Sequence, residues 1–390
     1  MHKMTILAVD YNAGLAQNRG LYQELSRFDD LEITLIAPAT WKDDFGSYKF
    51  EREESTLSVI QSPVTFKGHP HRVLFPSLAR YMGRIKPDIL FINSEPENFL
   101  AAESVILRSL ITRQTRVVIV SWRNIDYGNW VYPYRLALLH FLSQKLVVHT
   151  GAACIAHSEI AQKIIRGIGI RETTMIPPGV VVGGGSVERS IASPNTDFSI
   201  GYVGRLSEQK GIADLFHAAA MLNLPWRLIV VGEGEERRRL DDLSKGIGIA
   251  DRILWRGGLR KRELEKVYAT MDVLVLPSRT GTHWKEQFGR VLIEAMASGV
   301  AVIGSNSGEI PNVIGDAGIV FPEGNIQELA GALRSLQEDV ALRKNFAMKG
   351  LHRVKTRFAL VHVAARYRDF FRQLVVANAG ESVETHDDFR

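Results

Sequence analysis

The chain has 390 residues, 45% of them apolar and 23% charged, enough for two or three ordinary domains with a large core. Net charge is +5 with a pI near 9.2, and no apolar run approaches the roughly 20 residues that span a bilayer. Cys154 is the only cysteine, which excludes a disulfide within the chain and argues against a cysteine-built metal site. The opening stretch from Met1 to Asp10 has too short an apolar run, and no small-residue cleavage site, for a signal peptide. A cytoplasmic enzyme is therefore the default expectation.

Met4 to Asp10 reads as a strand, followed by a loop with Gly14 and Gly20 and a helical pattern near Leu21 to Phe28. Leu31–Ala37, Asp88–Asn93, Arg116–Ser121 and Ala152–Ala156 read as further buried strands with helical stretches between them. Strands alternating with helices predict a parallel, doubly wound sheet. Within this half, Leu74, Phe75, Leu78, Tyr81, Met82 and Ile85 form an apolar helical stripe beside Arg80, Arg84 and Lys86. Such a stripe ordinarily packs on a sheet, although a basic amphipathic helix also suits a membrane surface. From Lys67 to Arg171 there are fourteen Lys/Arg against six Asp/Glu. No aromatic-interleaved RNA motif, zinc-finger spacing or long basic run accompanies that excess, so nucleic acid is not an expected partner. An anionic membrane surface or a lipid-phosphate acceptor ranks above it.

The pattern restarts after a Gly-, Ser- and Pro-rich stretch from Val182 to Asn195, the best linker candidate. Phe198–Val203 is a strand, Gly204–Gly211 a loop, and Ile212–Leu222 a helix. Arg227–Val231, Ile253–Trp255, Val273–Leu276, Val300–Gly304 and Gly318–Phe321 continue the strand series. Both halves thus open on strand, glycine-containing loop and helix, and two facing sheets of this kind would bind ligands at their strand C-terminal ends. Residues after about Leu360 read as a helix, and the polar, acidic end as a fraying tail.

Four segments of the second half carry chemistry. The first is Gly204-Arg205-Leu206 with Lys210-Gly211, at a strand end. It lacks the glycine spacing of a dinucleotide-binding or Walker loop. Gly204 lets backbone approach a phosphate, while Arg205 and Lys210 would neutralise a departing diphosphate without a metal. The alternative is a solvated basic loop. Second, Val231-Gly232-Glu233-Gly234 and Gly257-Gly258-Leu259-Arg260 suit a nucleotide edge and a backbone wall for a base, or simply close strands. Third, Ser305-Asn306-Ser307-Gly308-Glu309 offers exposed amides, or caps the next helix. The fourth holds two carboxylates eight apart, Glu286 and Glu294, which bracket Phe288-Gly289 and the first turns of a predicted helix. One would hold sugar hydroxyls and the other ribose hydroxyls, with a helix N-terminus that favours negative charge between them. The alternative is a surface ion pair of Glu294 with Arg290, in the weaker order for such a pair.

In that order, Gly204-Arg205-Leu206, Lys210-Gly211, Gly232-Glu233-Gly234, Leu276-Pro277-Ser278, Glu286-Gln287-Phe288-Gly289 and Glu294-Ala295-Met296-Ala297-Ser298-Gly299 resemble glycosyltransferase family 4. These are the retaining "group 1" enzymes with the GT-B fold, two facing Rossmann-like domains around a deep cleft. The resemblance is strong over residues 198–345. It implies an acceptor-side domain over 1–190, a nucleotide-sugar donor domain over 191–362, a helix over 363–378 that returns to the first domain, and a disordered tail over 379–390. It makes Arg205 and Lys210 the diphosphate pair, Glu286 the glutamate near the donor sugar, and Glu294 the one on ribose. Amides of Phe288 and Gly289 would face the sugar and phosphate, with Gly204, Gly232 and Leu259 completing the donor site.

The first half matches less well. Gly14 falls in the flexible acceptor-side loop of the family, and Val181 replaces the aspartate of its Pro-Pro-Gly-Val-Asp. Ser121-Trp122-Arg123-Asn124 stands where many relatives carry a histidine. Asn124 and Glu95 are the acceptor-side candidates, each with a capping role as the alternative.

The activity implied is retaining transfer of a sugar from a nucleotide diphosphate to a growing surface polysaccharide or lipid-linked glycan. The absence of any Asp-x-Asp fits a metal-independent site with no cofactor beyond the donor substrate. Alternatives are a sugar-nucleotide epimerase of similar architecture and a non-catalytic sugar-nucleotide-binding partner subunit. On this reading, replacing Arg205 or Lys210 by alanine lowers turnover far more than stability.

Overall fold

The computed structural model describes residues 3–43, 46–125, 134–182, 197–282 and 284–384. The chain divides into two units, Met1–Gly179 with Leu360–Arg390, and Val180–Ala359. The expected linker after Val182 lies almost wholly outside the described residues.

The first unit is built on a parallel sheet of β1 (Met4–Val9), β2 (Leu31–Pro38), β5 (Ser58–Ser62), β6 (Ile89–Ile92), β7 (Arg116–Ser121), β8 (Ala153–Ala156) and β9 (Thr173–Met175), in the order β5-β2-β1-β6-β7-β8-β9. A separate antiparallel hairpin joins β3 (Thr40–Asp43) and β4 (Gly46–Lys49). The central strands are continuous apolar runs because both faces are covered. Strand order reverses between β1 and β6, which makes their C-terminal ends a topological switch point. The short, polar strands β5 and β9, and the hairpin, are absent from the sequence reading because they carry little apolar alternation.

The predicted apolar stripe divides between two structures. The helix spans Leu78–Ile85, while Leu74 pairs with Thr65 in an isolated bridge ahead of it. Phe75, Leu78 and Met82 are fully buried in the core beneath β1 and β6, and Tyr81 and Ile85 pack against them. The apolar face of this helix is therefore spent on the sheet.

A helix over Leu360–Glu384 belongs to this unit, longer at both ends than the 363–378 read from sequence. Of the expected tail, only residues 385–390 lie outside the described residues. Val363, Ala364, Tyr367, Phe371 and Leu374 join the core around Phe91, Val118 and Ile155. Arg368 and Arg372 both pair with Asp30, at 2.8 and 2.5 Å, fastening the helix beside the start of β2.

The second unit has an all-parallel sheet of β10 (Phe198–Val203), β11 (Trp226–Val231), β12 (Ile253–Trp255), β13 (Val273–Leu276), β14 (Ala301–Ser305) and β15 (Gly318–Phe321). Its order is β12-β11-β10-β13-β14-β15, so the reversal falls between β10 and β13. One core packs the helices Ile212–Ala220 and Ile326–Glu338 on this sheet, with Leu215, Phe216, Leu329 and Leu333 at full burial.

Candidate functional site

In the second unit the switch point brings together the loops after β10 and β13. Lys210 follows β10, in a short turn ahead of the helix that starts at Ile212. Ser278 follows β13 after Pro277, and Glu286 lies in the loop before the helix Arg290–Ala297. Lys210 Nζ donates to Glu286 Oε2 at 2.6 Å, and Ser278 Oγ donates to the same oxygen at 2.7 Å. Lys210 and Glu286 side chains are only 18% and 9% exposed. Lys210 Nζ also stands 5.0 Å from the ring centre of Trp284. Glu286 is a buried carboxylate whose charge is matched by one ammonium and one hydroxyl, the compensation a buried charge requires.

The loop after β14 fixes the backbone of that glutamate. Glu286 N–H donates to Ser307 Oγ at 3.4 Å, and the Glu286 carbonyl accepts from Glu309 N–H at 3.3 Å. Asn306 Oδ1 accepts from Glu323 N–H, and the helix Ile310–Ile314 has no side-chain cap. Neither role read for Ser305–Glu309 is thus seen: no side chain caps that helix, and the amides of Asn306 and Glu309 are taken by the carbonyls of Phe321 and Glu286. Ser278 and Ser307 lie within segments that the sequence singles out, without a role for either side chain; Trp284 carries no signal in the sequence.

The loops after β10, β11 and β12 are stitched together by backbone. Gly204 N–H donates to the Val231 carbonyl at 3.0 Å, and Gly232 N–H to the Gly257 carbonyl at 2.8 Å. A Cβ at Gly232, where φ is +135°, would overlap the carbonyl oxygen of Gly204. Only glycine permits this approach. Leu259 is half-buried just beyond, and the Gly258 amide lies 3.4 Å from Glu233 Oε1. Arg205 is exposed and faces Glu235 at 3.4 Å across water-accessible surface, while its own carbonyl accepts from Tyr202 at 2.8 Å. Burial, reinforced by the charge of Glu286, holds the Tyr202 phenol well above its ordinary pKa.

Gly289 is the N-cap of the helix Arg290–Ala297 with φ +83°, a left-handed conformation that lets the chain turn sharply from buried Phe288 into the helix. Leu292, Ile293, Ala295 and Met296 supply the buried face, leaving Glu294 half-buried at its margin. Tyr268 donates its hydroxyl to Glu294 Oε2 at 3.0 Å. Burial first, and the Glu294 charge second, keep that phenol protonated. The structure gives Glu286 and Glu294 separate partners, so the two carboxylates hold separate stations.

The first unit collects its own polar groups at the ends of β1, β6 and β7. Asp10 is buried, accepting from Tyr22 Oη at 2.9 Å and Asn12 N–H at 2.7 Å. Glu95 Oε1 accepts the Trp122 amide at 2.6 Å, two residues before the buried Asn124. Its Oε2 is shut away from solvent without a hydrogen bond among the described residues. Burial and then the neighbouring Glu97 charge, against the pull of Arg123, push the Glu95 carboxyl up to about 7. Glu97 is itself paired with Arg123 at 2.6 Å.

The carbonyl of Gly14 is held by a buried arginine. Buried Arg19 donates to the carbonyls of Ala13, Gly14 and Glu51 at 2.7, 2.9 and 2.7 Å and stacks on Phe50. That internal cation ties the loop to the chain beyond the hairpin.

Residues 186–353 match the family model of glycosyl transferases group 1. N-acetyl-alpha-D-glucosaminyl L-malate synthase of Bacillus anthracis is 29% identical over 174 residues, 44% of each chain. The capsular polysaccharide biosynthesis glycosyltransferase CapM of Staphylococcus aureus is 30% identical over 177 residues, 42% of this chain and 43% of that protein. The matched stretch is thus less than half the length of these relatives. Over whole chains the likeness is structural. Sucrose-phosphate synthase from Thermosynechococcus elongatus superposes with a TM-score of 0.73 at 18% identity, covering 96% of this chain and all of that one. Anabaena HepE, solved in complex with UDP and glucose, gives a TM-score of 0.69 at 18% identity over 95% of this chain and all of that one. The fold is GT-B, two Rossmann-like α/β units.

Proposed function

We propose that this chain, whose residues 186–353 match the family model of the group 1 glycosyltransferases, transfers a sugar from a nucleoside diphosphate to a hydroxyl of a glycan acceptor with retention of anomeric configuration. The observation that carries the reading is the buried Lys210–Glu286–Ser278 cluster at the switch point of the second unit. Ligands of open α/β sheets bind where strand order reverses. An ammonium there meets the diphosphate, and a carboxylate there meets hydroxyls of the sugar.

The chemistry to be assisted is cleavage of the bond between the anomeric carbon and the diphosphate oxygen. Its electron pair leaves with the diphosphate while positive charge develops on the sugar ring. Lys210, Arg205 and the amides at Gly289 stabilise the leaving charge, with no metal required. The acceptor oxygen forms the new bond on the same face, and its proton passes to the departing phosphate oxygen. Glu294 holds the ribose hydroxyls, with Gly204, Gly232 and Leu259 lining the nucleotide. Gly14, Glu95 and Asn124 form the acceptor side. The acceptor class favoured is a surface polysaccharide or lipid-linked glycan, in keeping with CapM, and the basic stretch from Lys67 to Arg171 suits work at an anionic membrane from the cytoplasmic side.

The test is thermal stabilisation by UDP, GDP, ADP and their common sugar conjugates, with and without EDTA, followed by NMR of the glycoside formed with the stabilising donor. A selective shift that survives EDTA and a product of unchanged anomeric configuration support the assignment. No shift with any nucleotide, or an inverted product, overturns it.

A further inference from the structure

The cluster contains a conflict of roles. Lys210 is bound to Glu286 at 2.6 Å, yet the proposed reaction needs Lys210 on the diphosphate and Glu286 on the sugar. If Lys210 turns to a phosphate, Glu286 keeps only Ser278 as a donor on Oε2. The residue is 7% exposed, so water makes good only part of the loss. A nucleotide that carries its sugar brings the replacement with it, since sugar hydroxyls donate to the carboxylate as the ammonium leaves. A sugar-free nucleoside diphosphate brings none.

We infer that Glu286 is a specificity-determining residue that makes the site discriminate against the spent nucleoside diphosphate by recapturing Lys210 once the sugar has gone. The inference rests on the donor-site reading above and adds a function to it. The Lys210–Glu286 pair is the sugar-free state of the site, and re-forming it weakens the hold on the product and favours its release. Ser278 stays on the same oxygen in both states and keeps the carboxylate pointed into the site. Trp284, beside the Lys210 ammonium, lies where the swing begins. Two ligand groups, diphosphate and sugar, are thereby coupled through one lysine, and coupling of this kind is typically about 5–150-fold in affinity.

The experiment is isothermal titration of wild type, Glu286→Gln, Lys210→Met and the double variant with UDP, GDP and ADP. The nucleotide that binds wild type is then compared with its sugar conjugate. Glu286→Gln keeps the shape and removes the competing charge, so it should bind the free diphosphate about 10-fold tighter while binding the sugar conjugate no better. The tightening should vanish in the Lys210→Met background, because the freed ammonium is its source. If Glu286→Gln binds the diphosphate with unchanged or weaker affinity, or tightens equally without Lys210, the inference is overturned while the donor site stands. If wild type binds none of the three, the donor-site reading falls and the inference with it. Circular dichroism of each variant separates a lost fold from a lost contact.

Discussion

Replacing Lys210 by methionine is the sharpest test of how the second unit is held together. Methionine keeps most of the stem volume and removes the ammonium, so the change isolates the charge. Glu286, with a side chain 9% exposed, would be left buried beside one hydroxyl. Removing one partner of a buried pair costs about 3–5 kcal/mol. The retained Ser278 bond and the 18% exposure on the lysine side, which admits some water, bring this down to about 2–3 kcal/mol. In urea, with a slope of about 2–3 kcal/mol per molar, the midpoint should fall by about 1 M. Trp226, Trp255 and Trp284 all lie in this unit, so tryptophan fluorescence follows its unfolding, and the curve is fitted with two transitions for two units. Adding Glu286→Gln to the lysine variant should recover at least half of the loss, since the orphaned charge disappears. Arg205→Ala is the contrast. Its pair with Glu235 is 59% and 57% exposed and should move stability by less than about 0.5 kcal/mol. Similar midpoints for the Lys210 and Arg205 variants, or no recovery in the double, would refute the reasoning. The sequence alone predicts that both cations matter far more for turnover than for stability, and burial is what sets them apart.

Three further outcomes are expected. Gly232→Ala should lose more than about 3 kcal/mol in thermal unfolding, because its Cβ falls on the Gly204 carbonyl oxygen and backbone cannot yield as a side chain would; a variant with wild-type Tm would show that the two loops are not locked. Arg19→Ala should lose about 3 kcal/mol and open residues 10–19 to limited proteolysis, since three carbonyls lose their donors; an unchanged digestion pattern contradicts the clamp. Glu95 has a folded pKa of about 7 against an ordinary 4.5, so between those values the folded chain keeps a proton that the unfolded chain releases. Stability from this group is then greatest below pH about 4.5 and is lost as pH rises towards 7. Glu95→Gln removes that loss, so its Tm advantage over wild type should grow from pH 5 to pH 8, and a constant difference would argue against a raised pKa.

The sequence by itself determined the buried, apolar strands. Phe198–Val203 and Val273–Leu276 fall where their apolar runs place them, because a parallel strand covered on both faces must be apolar along its length. It also put the chemistry-bearing residues at strand ends, since glycine, arginine and glutamate interrupt those runs visibly. What it did not determine was partnership. Glu286 and Glu294 are eight residues apart in one motif, yet one meets Lys210 from 76 positions upstream and the other Tyr268. Ser278 and Ser307 look like any other loop serines until the sheet order sets β10, β13 and β14 side by side. The path of residue 14 is likewise settled by Arg19 and a carbonyl at residue 51. Local pattern reports how each segment buries its own apolar atoms. Which charges those segments then bring within 3 Å depends on strand order, and strand order is a property of the whole chain.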